Sequence, residues 1–307
     1  MAIKTIAGVQ TQIIDSLVSE IFHEPFFVNE AGLPLKQYES GKKKIYYYKA
    51  LPIKVVNHGL KYDYQDRNTF AREESTEVVD SITIPIHIDY QDYVGASLAG
   101  IQSLLVDAEV ESLKSMQDEI DKTILFGNSK AGNAGMTNFS GINSSAAAGV
   151  WTTAGNFFAD VNTALSTLRA ARVLPPYSIV ATPGIKNEIL GGNLAAAGNY
   201  TNELEVFNRL YFQSTGKVGG NAIFDKIVWT DKLINGTLGT ANQAFIVFKN
   251  NPMYVYIAQV DGIHRKLIPH ERFEEDIDYA LCWSGCFIPK RDDAVYLVHT
   301  GTTTTAY

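Results

Sequence analysis

Cysteine is nearly absent from this 307-residue chain and charge is sparse, with two cysteines and 19% charged residues. Each shortage excludes something. Cys282 and Cys286 lie in one strand-like stretch at a spacing that separates their Cα atoms by about 13 Å, too far for a disulfide. Two thiols also fall short of a cysteine-only zinc site, which needs four ligands. No apolar run is long enough to predict a membrane-spanning helix, and the opening Met1-Ala-Ile-Lys-Thr-Ile lacks the basic-then-apolar order of a signal peptide. A reducing cytoplasm is therefore the expected compartment. A basic surplus is missing too: 33 acidic residues outnumber 26 lysines and arginines, for a net charge of −7. That balance argues against a protein that reads or coats nucleic acid, because phosphate binding needs a basic surface.

Aromatic residues are plentiful, with 16 tyrosines and 15 phenylalanines. Many aromatics beside few charges suit a surface that copies of the same chain cover. A chain of this length buries roughly 75% of its unfolded surface, enough for one large core or two smaller ones.

Residues 3–22 set Ile6, Val9, Ile13, Leu17 and Ile21 at spacings of three and four, predicting an amphipathic helix that ends before Pro25. It packs on its own domain or forms an arm that lies on a neighbour or an inner surface. Residues 41–80 read as a β-hairpin or ribbon with sorted charge. Lys42, Lys43, Lys44, Lys49, Lys54 and Lys61 come first with no acid among them; Asp63, Asp66, Glu73, Glu74, Glu77 and Asp80 follow. Either the two arms attract each other in a solvated ribbon, or a ribbon without a core of its own meets complementary charge on another subunit.

Ser81–Tyr93 alternates, with Ile82, Ile84, Ile86 and Ile88 facing inward and Pro85 best suited to a sheet edge. A long helix is expected next, with Asp107 as N-cap, a face of Val110, Leu113, Met116, Ile120 and Ile124, and a stop at Gly127. Residues 128–149 read as a polar loop. Residues 155–251 alternate helices (157–172, from Pro183, 203–210) with strands (177–181, 222–230, 244–248), an α/β or α+β unit. Strands return at 253–260, 263–267, 279–287 and 294–299 and are expected to complete the sheet begun at Ser81.

No catalytic constellation emerges. Ser214-Thr-Gly216-Lys217-Val218 fails as a phosphate loop, since Tyr211 replaces the first glycine and Val218 the hydroxyl that would bind magnesium. His270-Glu271 fails as a zinc-protease motif because position 274 is Glu. The one dense carboxylate run is Glu271, Glu274, Glu275, Asp276 and Asp278. It reads as a solvated loop, as a calcium site without EF-hand spacing, or as an intersubunit receptor for a neighbour's lysines. No enzyme activity, cofactor or metal is expected.

Several stretches resemble the tailed-bacteriophage major capsid proteins of the Hong Kong 97 type. Asp118-Glu-Ile-Asp-Lys-Thr-Ile-Leu-Phe-Gly127, followed by Gly132, Gly135, Met136-Thr-Asn138 and Gly141-Ile142, is similar to the family's spine-helix end. Leu174-Pro-Pro-Tyr-Ser-Ile-Val-Ala-Thr-Pro183 resembles its axial-domain strand and helix. Phe248 to Tyr256, Leu267-Ile-Pro269 and Trp283 to Lys290, ending in Ala294-Val-Tyr-Leu297, resemble its closing strands.

The resemblance implies an α+β, Hong Kong 97-like fold. Its parts would be an N-terminal helical arm (1–40), an extended β-ribbon loop (41–80), a peripheral domain with the spine helix (81–152), an inserted axial α/β domain (153–251), returning peripheral strands (252–300) and a tail (301–307). It also implies a structural protein whose pentamers and hexamers build an icosahedral virion shell, assembled in the host cytoplasm. Such a shell encloses double-stranded DNA without sequence-specific binding and has no membrane. Scaffold, portal and decoration proteins are the further partners implied. Encapsulins, protein nanocompartments that enclose a cargo enzyme, share the fold and are the alternative. The intersubunit candidates are Lys42, Lys43, Lys44, Lys49, Lys54, Lys61, Glu271, Glu274, Glu275, Asp276 and Asp278.

Overall fold

A computed structural model describes residues 30–50, 72–88, 104–128, 130–147, 151, 155–191, 193–196, 199–211, 217–218, 221–230, 233, 243–267 and 277–300. The predicted helix over 3–22, the tail 301–307 and the outer part of the ribbon lie outside the described residues.

The first elements are strands: β1 (Leu35–Gln37), β2 (Lys44–Ala50), β3 (Arg72–Val78) and β4 (Asp80–Ile88). β2 and β3 pair antiparallel as a two-stranded ribbon, Lys44 opposite Val78 and Ala50 opposite Arg72. Helix α1 (Leu104–Phe126) follows. Asp107 therefore sits within its first turn and is not the N-cap, although a carboxylate there still favours the positive helix end. Leu113, Met116, Ile120 and Ile124 are buried along one face. Gly127, at φ +75°, stops the helix, and its backbone lies so close to Asn133 and Ala134 that no side chain fits.

Residues 128–149, expected as a loop, contain a four-residue helix α2 (Gly135–Asn138) and strand β5 (Asn143–Ala146). Then come α3 (Asn156–Ala170), β6 (Tyr177–Ala181), α4 (Pro183–Gly191), β7 (Asn193–Ala196), β8 (Asn199–Asn202), α5 (Glu203–Tyr211), β9 (Lys217–Val218), β10 (Asn221–Ala222), β11 (Phe224–Trp229) and β12 (Ala244–Phe248). The chain closes through β13 (Val255–Leu267), β14 (Ile277–Pro289) and β15 (Val295–His299). The two strands expected at 253–260 and 263–267 are thus one long strand, with register irregularities between Gln259 and His264.

Two sheets organise the molecule. The first has the order β1-β13-β14-β4, with β4 and its Pro85 at an edge where a missing N–H costs no ladder bond. The second has the order β11-β6-β12-β15-β5. β15, expected to complete the first sheet, instead pairs antiparallel with β12, and β5 adds to it in parallel. The second sheet is therefore finished by chain on either side of the α/β stretch that begins it.

Strands β6, β12 and β15 are buried at every position. The reason is that both faces of the second sheet are covered. Ile179 and Val247 pack into a core with Phe157, Leu165 and Phe207 of α3 and α5. Their neighbours Val180 and Ile246 pack into another with Met116, Ile120 and Ile124 of α1 and with Ile257, Leu281 and Trp283 of the first sheet. Asp160, buried in the first of these cores, accepts a hydrogen bond from the Trp151 indole at 2.7 Å, so its charge is not left alone. At the ribbon's exit, Asp80 takes the Ser81 amide (2.9 Å), the Asn128 side-chain amide (3.0 Å) and the Thr123 hydroxyl (3.5 Å). It thereby ties the start of β4 to the end of α1.

Candidate assembly interface

The ribbon has two unlike faces because alternate residues of a strand point opposite ways. Ile45 and Tyr47 turn inward and are buried with Tyr256, Ala258, Val260, Cys286 and Ile288 of β13 and β14. Tyr46 and Tyr48 turn outward and are 67% and 55% exposed. Lys42, Lys43 and Lys44 are exposed beside them. Two large aromatic rings held in water are an uncommon choice for a free surface, and with lysines around them they make a face suited to contact.

At the ribbon's root the sorted charges behave less simply. Lys49 stands opposite Glu73 in the register, yet its ammonium reaches 2.8 Å to Asp292 of the turn before β15 and is only 16% exposed. Its charge is compensated within its own chain. Lys42 pairs with Glu39 at 3.1 Å in the open. Glu77 sits inward opposite Ile45. Burial raises its carboxyl above the ordinary glutamate range, while Lys49 and the Tyr47 hydroxyl pull it back down. Burial likewise raises the Tyr47 phenol and pushes the Cys286 thiol up to about 12, which keeps that sulfur a neutral packing atom. Both cysteines are free.

Of the remaining interface candidates, Lys54, Lys61, Glu271, Glu274, Glu275 and Asp276 lie outside the described residues. Asp278 is in β14, opposite His87 of β4. No group of three or more metal-type ligands occurs among the described residues. No helix among them is long and apolar enough to cross a membrane.

Sequence reasoning missed three arrangements. Asp292 is 243 positions from Lys49, and no local pattern links them. Glu109 of α1, 1% exposed, meets Arg265 of β13 at 3.1 Å, with the guanidinium 3.8 Å above the Tyr279 ring. Periodicity gives Glu109 only as a charge in an early helical turn. The third is a set of lysines around two tyrosines, Tyr38 and Tyr256, whose hydroxyls share a hydrogen bond at 2.9 Å. Lys36 stands 5.2 Å from the Tyr38 ring centre and 5.7 Å from that of Tyr256. Lys42 is 5.8 Å from the first ring and Lys290 6.0 Å from the second.

No family model matches the chain, and no curated protein does. Solved structures do. The capsid of Myoviridae phage XM1 superposes with a TM-score of 0.67 over 90% of this chain and 91% of its own, at 11% identity. The fold is the Hong Kong 97 capsid fold. A virus-like particle from Pyrococcus furiosus shares it with a TM-score of 0.60, 12% identity and coverage of 92% and 96%. So does the SrpI encapsulin of Synechococcus elongatus, at 0.55, 11% identity and coverage of 90% and 87%. At such low identity the Hong Kong 97 fold is held by pattern and topology, not by shared residues.

Proposed function

We propose that the chain is a major capsid protein, a structural tile that self-assembles through pentamers and hexamers into an icosahedral shell around double-stranded DNA. The observation that carries this reading is the match to a phage capsid over nine tenths of the chain. The ribbon supports it from below. A two-stranded sheet is marginal alone, its inner face has a core to lie on, and its outer face offers Tyr46 and Tyr48 to a neighbour. Contacts between unlike surfaces that close into rings are the geometry of capsomers, and many weak contacts per tile make a strong shell from reversible steps. The domain boundaries given under Sequence analysis belong to this reading. So do the role as a non-enzyme, the virion location, assembly in the host cytoplasm, and the scaffold, portal and decoration proteins as partners. A net charge of −7 fits a lining that lets DNA slide in and out.

Negative-stain microscopy of the purified chain tests the reading. Closed particles tens of nanometres across are expected; a species that stays monomeric or dimeric in every condition overturns it. The encapsulin match supports the second reading, a nanocompartment. Nuclease-protected DNA extracted from particles made in the native host favours the virion. DNA-free particles with a co-purifying enzyme favour the compartment.

A further inference from the structure

A groove of about 500 Å³ opens at the root of the ribbon, lined by Tyr38, Lys42, Lys43, Lys44, Ile45 and Tyr46. Lys36 and Lys290 add positive charge beside it: Lys36 stands 5.2 Å from the ring centre of the lining Tyr38, and Lys290 6.0 Å from that of Tyr256, whose hydroxyl is bonded to the Tyr38 hydroxyl. No acid is among the described lining residues, and Glu39, which pairs with Lys42, is 86% exposed; set against these five lysines it leaves four positive charges. A surplus of four positive charges on a net acidic chain is a local exception. The mirror image occurs elsewhere in the same sequence. Residues 271–278 hold Glu271, Glu274, Glu275, Asp276 and Asp278 against Arg272 alone, a surplus of four negative charges, and one aromatic residue, Phe273.

We infer that the groove of one copy takes the acidic segment 271–278 of a second copy. The inference rests on the shell reading and names the contact that reading leaves open. Reach decides between the two possible sources of the segment. Tyr256, whose hydroxyl meets that of the groove-lining Tyr38 at 2.9 Å, and Leu267, where β13 ends, are 11 residues apart, about 36 Å at 3.3 Å per residue. The nine residues between Leu267 and Ile277 are anchored at both ends, so they extend at most about 17 Å from the strand tips. Even with about 10 Å of lysine and glutamate side chain added, a chain's own acidic segment falls short of its own groove along this continuous strand. Opposite surpluses of equal size steer the two surfaces together and reject other registers, and salt weakens them.

Two measurements on the full-length chain test this. A fluorescein-labelled peptide of residues 268–279 is titrated by anisotropy against chain kept unassembled. Binding is expected to weaken at least tenfold between 50 and 500 mM salt, and at least tenfold on combining Lys42→Glu, Lys43→Glu and Lys44→Glu. These lysines are exposed, and unchanged circular dichroism checks the fold. In assembly, this triple variant and the triple Glu271→Lys, Glu274→Lys, Glu275→Lys each lose shells, and an equal mixture of the two regains them in part through the swapped pair. Equal peptide affinity for the wild type and the lysine variant overturns the inference. So does a groove that ignores the peptide but holds a 20-base-pair DNA duplex. Shells without peptide binding defeat the groove assignment alone; peptide binding with no shells in any condition defeats the shell reading alone.

Discussion

The second sheet and the ribbon are built from strands of similar length and are stabilised in opposite ways. In β6, β12 and β15 all five residues are buried, because helices cover one face and α1 with the first sheet covers the other. In β2 only the inward residues find a core; Tyr46 and Tyr48 meet water. The sheet is complete in one copy of the chain. The ribbon is half complete, and its missing half is the surface on which the proposed assembly depends.

The strongest way to break the sheet's side of this comparison is Phe157→Ala. Phe157 is fully buried, with ring centres of Trp151, Phe207 and Phe245 at 5.3–6.0 Å. We expect a loss of about 3–5 kcal/mol in denaturant unfolding. On the ribbon's side, Lys49→Met removes the partner of Asp292 and is expected to cost about 1–2 kcal/mol. Hydrogen exchange should report that loss in β2 and β3 and leave α3 unchanged; uniform loss would mean the ribbon shares the sheet's cooperativity. Next, Tyr46→Ser with Tyr48→Ser should alter the isolated chain by no more than about 0.5 kcal/mol. The same pair should weaken assembly about tenfold, some 1.4 kcal/mol, as a rise in the threshold concentration seen by light scattering.

The smallest effect concerns Glu77. Burial raises its carboxyl in the folded state, so folding takes up a proton there, and this group's contribution to stability declines as pH climbs above the ordinary glutamate range. Lys49, Tyr47, Asp292 and the Cys286 thiol are ionisable groups around it. Glu77→Gln should flatten that part of the pH profile of the melting temperature between pH 4 and 8, and leave the variant the more stable at neutral pH.

How much of this was legible in the sequence depends on where each signal is stored. Ile82, Ile84 and Ile86 alternate because one face of β4 is dry, and four apolar residues mark the buried stripe of α1 because a helix repeats every 3.6 residues. Those signals are local and survived. β5 reads Asn-Ser-Ser-Ala and looks like a loop, since an edge strand is held by its backbone and leaves its side chains half exposed. β15 is apolar throughout and fits either sheet on pattern alone; only the chain path from Pro289 decides. The sorted charges of the ribbon were visible, but the partner of Lys49 was not, because a lysine's sequence neighbours carry no mark of a carboxylate 243 positions away.

That ion pair has a mechanical meaning. Only five residues separate the end of β14 from the start of β15, and this connector joins the two sheets. Asp292 lies in it, and Gly141, on the approach to β5, is pressed so close that a methyl group there would collide with the carboxylate. Lys49 thus clamps the described part of the ribbon to the connector between the sheets, so a displacement of β2 is passed on to the link that joins them.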